Sequence, residues 1–352
     1  DPLWLTSLHP KTADWAQLLA SLGTLYEHGA TLDWAEFARE YPHAKVTLPR
    51  YPFQRQRYWI DMQPPSVAQP EPSQPVAHHP LLGTQVASAL AARNHEWLFE
   101  NRFSITELPY LADHTLFDQP LVPGAAYVEM ALAAGARRWP QTPLRLRDCT
   151  IQAGLFLPTP AVHAAKTTVQ LLLSPAEQGE RWQIYSLAAG AQPDGWTLHA
   201  SGQLDLVHEP LQPTIDLATV QAHCCNMADL ASYEATLCRQ GIGYGPAFQA
   251  LTELFIGDGA ALGKVTLPPA LVSTVDPYQL HPVLLDAGLR VASVLLAEES
   301  AEPYLPFGME EVYFAGRPLP TQLWSYVQRA IRDTSTPDMP QFDVTLLDKA
   351  GQ

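Results

Sequence analysis

The sequence predicts an α+β fold in which antiparallel strands surround one long helix in each half of the main body. Segments rich in β-branched and aromatic residues, separated by proline and glycine, recur after residue 78 and indicate strands. Helical patterns interrupt them from Gly124 to about Arg138 and again after Pro282. A hydrophobic fraction of 47% in 352 residues suffices for a sizeable core.

The N-terminal part has a different character. Apolar residues at three- and four-residue spacing predict helix over residues 13–42, broken by a turn at Gly29 and Ala30. Residues 46–59 contain two prolines and several aromatic side chains, which favour an extended, packed strap over a helix. Residues 61–77 contain five prolines among polar residues, a composition typical of a spacer. We therefore expect a domain boundary near residue 78.

The elements of the main body follow in order. The first half is expected to contain five strands, over Glu96–Ile105, Leu144–Leu157, Lys166–Ser174, Arg181–Ala188 and Trp196–Leu206. A second half begins near Pro210 with a helix over Ala228–Arg239. Its strands are predicted over Leu251–Ile256, Ala260–Leu267, Glu311–Phe314, Gln322–Arg332 and Phe342–Leu347.

Charge and composition exclude several classes of partner. The net charge of −15 repels phosphate backbones, so we expect no nucleic-acid partner. No apolar run approaches 18 residues, and the first residues lack the order of a signal peptide, so we expect no membrane association. The four cysteines form no CxxC pair, which favours reduced, buried thiols in a cytoplasmic protein.

A histidine precedes a helix start in the first half. His114 lies in a loop, and Pro123 and Gly124 follow nine and ten residues later, where the helix begins. Free N–H groups at a helix start can polarise a carbonyl oxygen, so this spacing suits proton abstraction next to a thioester carbonyl. Taken alone, His114 is one of 12 histidines, and a structural role is the favoured interpretation.

An aspartate occupies an apolar helical stretch in the second half. Asp286 follows Pro282 by one turn, among valine and leucine side chains. A carboxylate there is costly unless it is paired or protonated. The alternative to a functional role is a structural ion pair with Arg290, four residues later.

A glycine-rich turn separates these two segments. Residues 241–248 contain three glycines, including Gly245, and a proline around Tyr244. Such a turn could present the tyrosine, or it could be a turn without function.

Together the three segments resemble the dehydratase domains of modular type I polyketide synthases. The family motif H-x-x-x-G-x-x-x-x-P is matched by His114 and Pro123, and G-Y-G-P-x-F is matched in full by residues 243–248. The motif D-x-x-x-Q/H is matched at Asp286, and residues 305–307 are similar to the L-P-F stretch of the family. Residues 51–59 resemble the linker that follows an acyltransferase domain in these synthases.

The resemblance implies a double hotdog, in which each of two antiparallel sheets wraps one long helix. Residues 1–60 are then an acyltransferase C-terminal tail and post-acyltransferase linker, followed by the proline-rich linker 61–78. Residues 79–209 form the first hotdog and residues 210–352 the second, which is expected to be incomplete because family members usually continue for another strand.

The resemblance also implies a hydro-lyase that converts a 3-hydroxyacyl thioester into an α,β-enoyl thioester. His114 is then the base for the α-proton and Asp286 the acid for the departing hydroxyl. The Gly124 N–H, after Pro123, polarises the thioester oxygen, and Tyr244, beside Gly245, orients Asp286 or the hydroxyl. An acyl carrier protein delivers the substrate on its phosphopantetheine arm, without a metal or other cofactor. Acyltransferase and ketoreductase domains are the expected neighbours, and the synthase context implies a homodimer.

Two positions depart from the family pattern. Asp118 stands where the first motif has glycine, and aspartate tolerates unusual backbone angles better than most residues. Arg290 stands where the third motif has glutamine or histidine. A cation beside Asp286 would stabilise the ionised carboxylate and oppose its use as an acid. We therefore expect Arg290 either to tune Asp286 or to point away.

Three functions remain open at this point. Dehydration is the leading hypothesis because His114, Tyr244 and Asp286 are all present. A variant dehydratase could also close an oxygen ring or shift the double bond, although relatives that shift it typically lack the proline at position 123. A catalytically silent structural module is the alternative that Asp118 and Arg290 favour.

Overall fold

The computed structural model describes residues 2–41, 44, 46–48, 79–158, 166–192, 194–207, 215–296, 305–317, 319–330 and 340–351. The chain divides into two compact units, residues 1–70 and residues 71–352. Most of the predicted strap and the proline-rich linker lie outside the described residues. The boundary between the two units falls within residues 61–78.

The N-terminal unit contains two helices in its described part, α1 (Asp14–Glu27) and α2 (Trp34–Ala38). The backbone turns between them at Gly29, whose φ of 86° is unfavourable for other residues. The carboxylate of Asp33 accepts hydrogen bonds from the first-turn N–H groups of Ala35 and Glu36, which caps α2. This arrangement confirms the predicted helical segment and its break.

Five helices and fifteen strands are defined in the described part of the second unit. The helices are α3 (Ala89–Arg93), α4 (Gly124–Arg138), α5 (Leu217–His223), α6 (Leu230–Arg239) and α7 (Pro282–Arg290). The strands are β1 (Thr84–Gln85), β2 (Trp97–Phe103), β3 (His114–Leu116), β4 (Gln119–Pro120), β5 (Leu144–Ile151), β6 (Thr167–Pro175), β7 (Glu180–Leu187), β8 (Thr197–Leu206), β9 (Asn226–Met227), β10 (Ile242–Tyr244), β11 (Leu251–Ile256), β12 (Ala260–Thr266), β13 (Gly308–Phe314), β14 (Gln322–Arg329) and β15 (Phe342–Leu347).

These strands form three antiparallel sheets. The first has seven strands in the order β1-β2-β6-β7-β8-β5-β13, and the second has five in the order β15-β14-β12-β11-β9. The third is a small sheet in the order β10-β3-β4. Strand β13 differs from the predicted division into halves, because it pairs with β5 in the seven-stranded sheet although it follows α7 in sequence.

A helix packs on each large sheet. Helix α4 packs on β5, β6 and β8, and its residues from 125 to 135 are buried. Helix α7 packs on β12, β14 and β15, and the chain continues from it as a 3₁₀ helix over Val291–Leu296. The two helices also pack on each other. The fold is therefore the expected double hotdog, in which each of two large sheets packs against one helix.

The structure also bears on the expected absence of membrane-spanning segments and on the expected state of the cysteines. None of the helices in the described part of the chain has the length and apolar character needed to span a bilayer. All four cysteines are free thiols, and Cys149 and Cys224 are buried. The prediction of buried thiols is wrong for Cys225 and Cys238, which are exposed because they lie in the loop after α5 and on the outer side of α6.

Candidate active site

The first two motifs meet in the small three-stranded sheet. Strand β10 pairs with β3 so that Tyr244 lies opposite His114 and Gly243 lies opposite Thr115. The rings of His114 and Tyr244 are 5.6 Å apart in an edge-to-face arrangement. A histidine of the first half and a tyrosine of the second half are therefore brought together by backbone pairing.

The turn between β3 and β4 explains the first departure from the family pattern. Phe117 and Asp118 are the two turn residues, with φ angles of 48° and 61°. Two left-handed residues in a two-residue loop suit the twist of a hairpin, and glycine, asparagine and aspartate are the usual occupants. Asp118 is exposed. Its position thus requires a backbone conformation that aspartate tolerates, as the sequence predicted.

The hydrogen bonds of His114 determine its tautomer. The imidazole is buried, and Nδ1 lies 2.7 Å from the carbonyl oxygen of Leu121. Because a carbonyl only accepts, Nδ1 must carry the proton when the ring is neutral. Nε2 then has a free electron pair, which is the state that a base requires.

Asp286 lies opposite that electron pair. Its Oδ1 is 3.8 Å from Nε2 of His114, and its side chain is 16% exposed. Pro282 occupies the first turn of α7, and the His281 imidazole accepts a hydrogen bond from the Val283 N–H and so caps the helix. Within the described residues, Oδ2 of Asp286 is buried without a hydrogen-bond partner. The helix therefore holds a largely desolvated carboxyl group against the histidine.

Arg290 does not form the structural ion pair that its spacing from Asp286 suggested. Its guanidinium lies over the ring of Tyr244, 4.0 Å from the ring centre, and Nη2 donates to the carbonyl oxygen of Phe248 at 3.3 Å. Burial raises the pKa of Tyr244, the charge of Asp286 acts in the same direction, and the charge of Arg290 opposes both. Tyr244 therefore remains a neutral phenol that can donate a hydrogen bond.

Gly124 is the first residue of α4, and Pro123 precedes it as the N-cap. N–H groups in the first turn of a helix have no partner within the helix. A β-carbon at position 124 would lie 2.7 Å from Cδ1 of Ile151, so only glycine leaves this space without moving that side chain. The predicted pair of Pro123 and Gly124 thus stands at the start of the buried helix of the first half.

Two protein-family models match the chain, one in each half of the main body. Residues 79–187 match the family model described as polyketide synthase dehydratase domain, and residues 212–352 match the one described as polyketide synthase dehydratase N-terminal domain. The dehydratase domain from the CurK module of curacin polyketide synthase superimposes with a TM-score of 0.68 at 31% identity, over 78% of this chain and 92% of that domain. The chain belongs to the polyketide synthase dehydratase domains.

Other relatives agree with this assignment. Polyketide synthase GfsE of Streptomyces halstedii is 34% identical over 300 residues, which cover 84% of this chain and 8% of that protein. The dehydratase domain therefore spans less than a tenth of the length of this relative. Solved structures of CurK dehydratase also include two inactive variants, in which a histidine is replaced by phenylalanine or an aspartate by asparagine.

Sequence reasoning missed one residue that shapes the dehydratase site. Asp113 accepts a hydrogen bond from the Gly245 N–H at its backbone oxygen and one from the Ala247 N–H at its side chain, both at 2.7 Å. A β-carbon at position 245 would lie 2.6 Å from Cγ of Asp113, so Gly245 permits this close approach. The aspartate directly before the motif histidine was the available signal.

In the part of the chain that the structure describes, no group of three or more histidine, cysteine, aspartate or glutamate side chains is arranged to hold a metal ion.

Proposed function

We propose that this dehydratase domain removes water from a 3-hydroxyacyl thioester and releases the α,β-enoyl thioester. The observation that carries the proposal is the pair of His114 and Asp286, whose Nε2 and Oδ1 atoms are 3.8 Å apart. The Leu121 carbonyl leaves Nε2 of His114 unprotonated. A base and a carboxylic acid at this separation can reach adjacent carbons of one substrate.

The chemistry follows from these two groups. His114 Nε2 takes the α-proton, and the electrons of the C–H bond form the new double bond. The bond between the β-carbon and its hydroxyl oxygen breaks, and Asp286 gives a proton to the hydroxyl, which leaves as water. Hydroxide is a poor leaving group, so a positioned acid is needed at this step. Transfer of the proton from His114 to Asp286 then restores both groups.

Backbone and phenol donors support this reaction. Loss of the α-proton moves negative charge onto the thioester oxygen, and an N–H donor there stabilises the transition state more than the ground state. The Gly124 N–H, at the start of α4 after Pro123, is the donor that we assign to this oxygen. Tyr244 is assigned the orientation of the leaving hydroxyl or of Asp286, with Arg290 and Gly245 holding Tyr244 and its turn.

Delivery of the substrate rests on the family context. We assign an acyl carrier protein, with its phosphopantetheine arm, as the carrier of the substrate. Acyltransferase and ketoreductase domains are the proposed neighbours, residues 1–60 are the proposed post-acyltransferase linker, and a homodimer is the proposed assembly. The reaction as written moves protons and one hydroxyl group, and it requires no metal or nucleotide.

One experiment tests the proposal. The full chain is incubated with 3-hydroxyacyl thioesters of several chain lengths, and mass spectrometry follows the loss of one water. We expect wild type to release water, and His114→Ala and Asp286→Asn to lower the rate by at least about 100-fold. His199→Ala serves as the matched control, because His199 is also a buried histidine but is hydrogen-bonded to Ser186 within the first sheet. It should keep the rate of water loss near that of wild type. Absence of water loss at every chain length, or equal loss in all variants, would refute the proposal.

A further inference from the structure

A second carboxylate in this domain is more deeply buried than Asp286. Glu129 lies in the second turn of α4 and is 0% exposed. Its Oε1 is 2.9 Å from Nε2 of His79 and accepts a hydrogen bond from the backbone N–H of Gln279 at 2.8 Å. Its Oε2 accepts one from the backbone N–H of Leu280, also at 2.8 Å. One side chain of the first half thus binds two consecutive backbone groups of the second half.

The proton on His79 can be located from its other hydrogen bonds. Nδ1 accepts from the backbone N–H groups of Leu81 and Leu82, at 3.2 and 2.9 Å. Nδ1 is therefore unprotonated, and Nε2 carries the proton that is donated to Glu129. All three partners of Glu129 are then donors. Three donors directed at two oxygens favour the ionised carboxylate, which offers a lone pair to each of them and has no hydrogen of its own to place.

The segment to which Glu129 is hydrogen-bonded leads directly into α7, the helix that carries Asp286. Gln279 and Leu280 immediately precede His281, the N-cap of α7. The ring of Tyr278 lies 5.2 Å from the His79 ring and 4.6 Å from the His281 ring, so the segment also packs against both histidines. Glu129 itself lies five residues after Gly124 in α4. The carboxylate therefore joins the two helices that carry the proposed oxygen donor and the proposed acid.

An ionised carboxylate in this buried position costs desolvation free energy, which an apolar side chain packed in the same place would not. Burial raises the pKa of Glu129, and the hydrogen bonds from His79 and from the two backbone groups oppose that change. A buried ionic group often contributes less stability than an apolar residue of similar size, whereas breaking its interactions is strongly destabilising. A group of this kind can instead fix one arrangement of the elements that it joins.

We propose that Glu129 is a positioning residue for the dehydration reaction. It holds the start of α7 against α4 and thereby sets the position of Asp286 relative to His114 and Gly124. The inference rests on the proposed function, because it concerns the same reacting groups. A misplacement of about 1 Å at a reacting centre can lower a rate by about 100-fold.

The test compares two buried carboxylates that act near opposite ends of α4: Glu129 in its second turn, and Glu180 in β7, which contacts its last turn. Glu129→Gln keeps the size of the side chain but turns an amide NH₂ towards a backbone donor. Glu180→Gln is the matched control, because Glu180 is also buried and accepts a hydrogen bond from Arg138, in the last turn of α4. In the full chain, we expect Glu129→Gln to lower kcat by about 10- to 100-fold with KM changed less than twofold. Glu180→Gln should change kcat less than twofold.

Hydrogen exchange of the α7 amides supplies a readout that needs no activity. Glu129→Gln should accelerate exchange over residues 283–290 more than Glu180→Gln does. Unchanged kcat and exchange in a folded Glu129→Gln protein, or equal effects in both variants, would overturn the inference. If that variant does not fold, His79→Gln replaces it with the same expectations. A wild type that releases no water overturns the proposed function, and the exchange comparison then decides the positioning role by itself.

Discussion

Protonation of His281 provides a quantitative test of how the Asp286 helix is anchored. The imidazole is 1% exposed, and its Nδ1 accepts the hydrogen bond from Val283 that caps α7. Burial lowers the pKa of His281 from 6.5 to about 4. A protonated imidazole could not accept the hydrogen bond from Val283 and would remain desolvated. The folded protein therefore keeps His281 neutral between pH 6.5 and about pH 4.

The sign and size of the effect follow from linkage. Between pH 6.5 and pH 4 the unfolded chain binds a proton that the folded chain does not, so stability falls as the pH falls. A difference of 2.5 pKa units corresponds to about 3 kcal/mol below pH 4, at about 1.4 kcal/mol per unit. Of this, about 2 kcal/mol should be lost between pH 7 and pH 5.

Urea unfolding followed by circular dichroism measures this loss. Carboxylates titrate over the same range, so the informative quantity is the difference between wild type and His281→Asn, which keeps a capping side chain without titrating. We expect this difference to change by about 2 kcal/mol between pH 7 and pH 5. The exposed His9 supplies the control variant His9→Asn. A difference that stays constant with pH would show that His281 is not the buried, neutral group described above.

Three further changes concern the loops of the site, and urea unfolding at pH 7 checks each of them. Asp118→Val should lower the free energy of unfolding by about 1–2 kcal/mol, whereas Asp118→Gly should not lower it, because the position requires a positive φ; equal stability of the two variants would contradict this. Gly245→Ala should lower the free energy of unfolding by about 1–3 kcal/mol, because the added β-carbon would clash with Asp113. Gly124→Ala is the comparison, because its β-carbon meets only the flexible end of the Ile151 side chain. If Gly245→Ala lowers the stability no more than Gly124→Ala does, the reasoning is wrong. Asp113→Ala should cost about 1–3 kcal/mol by leaving the Ala247 N–H unpaired, and Asp113→Asn, which keeps an acceptor, should cost less.

The long elements were predictable because their patterns repeat several times. Helix α4 and strands β6, β7 and β8 have at least eight residues each, so apolar periodicity identifies them and their ends within a few residues. Strands β3, β4 and β10 have two or three residues, which is too short for any period to appear. These are the strands that bring His114 and Tyr244 together. The most informative part of the fold for function was therefore the least visible in the sequence.

Pairing across the chain was the second limit. The strand signal near Glu311 was correct, but its partner is β5, more than 150 residues earlier, and nothing in its pattern distinguishes that partner from a neighbour in the second sheet. The same applies to Asp113, whose side chain binds a backbone group 134 residues away. His114 and Asp286 could be predicted as a pair because their residue types recur at fixed motif positions, which needs no knowledge of the strand pairing.

Arg290 shows how a departure from a motif can be accommodated by a neighbouring one. Its place four residues after Asp286 predicts an ion pair, and such a pair would hold the carboxylate ionised. Two groups of the glycine-rich turn bind the guanidinium instead, the ring face of Tyr244 and the carbonyl oxygen of Phe248. A cation over an aromatic ring is stabilised without a carboxylate partner. The arginine is therefore accommodated without an ion pair to Asp286, whose Oδ1 lies 3.8 Å from Nε2 of His114.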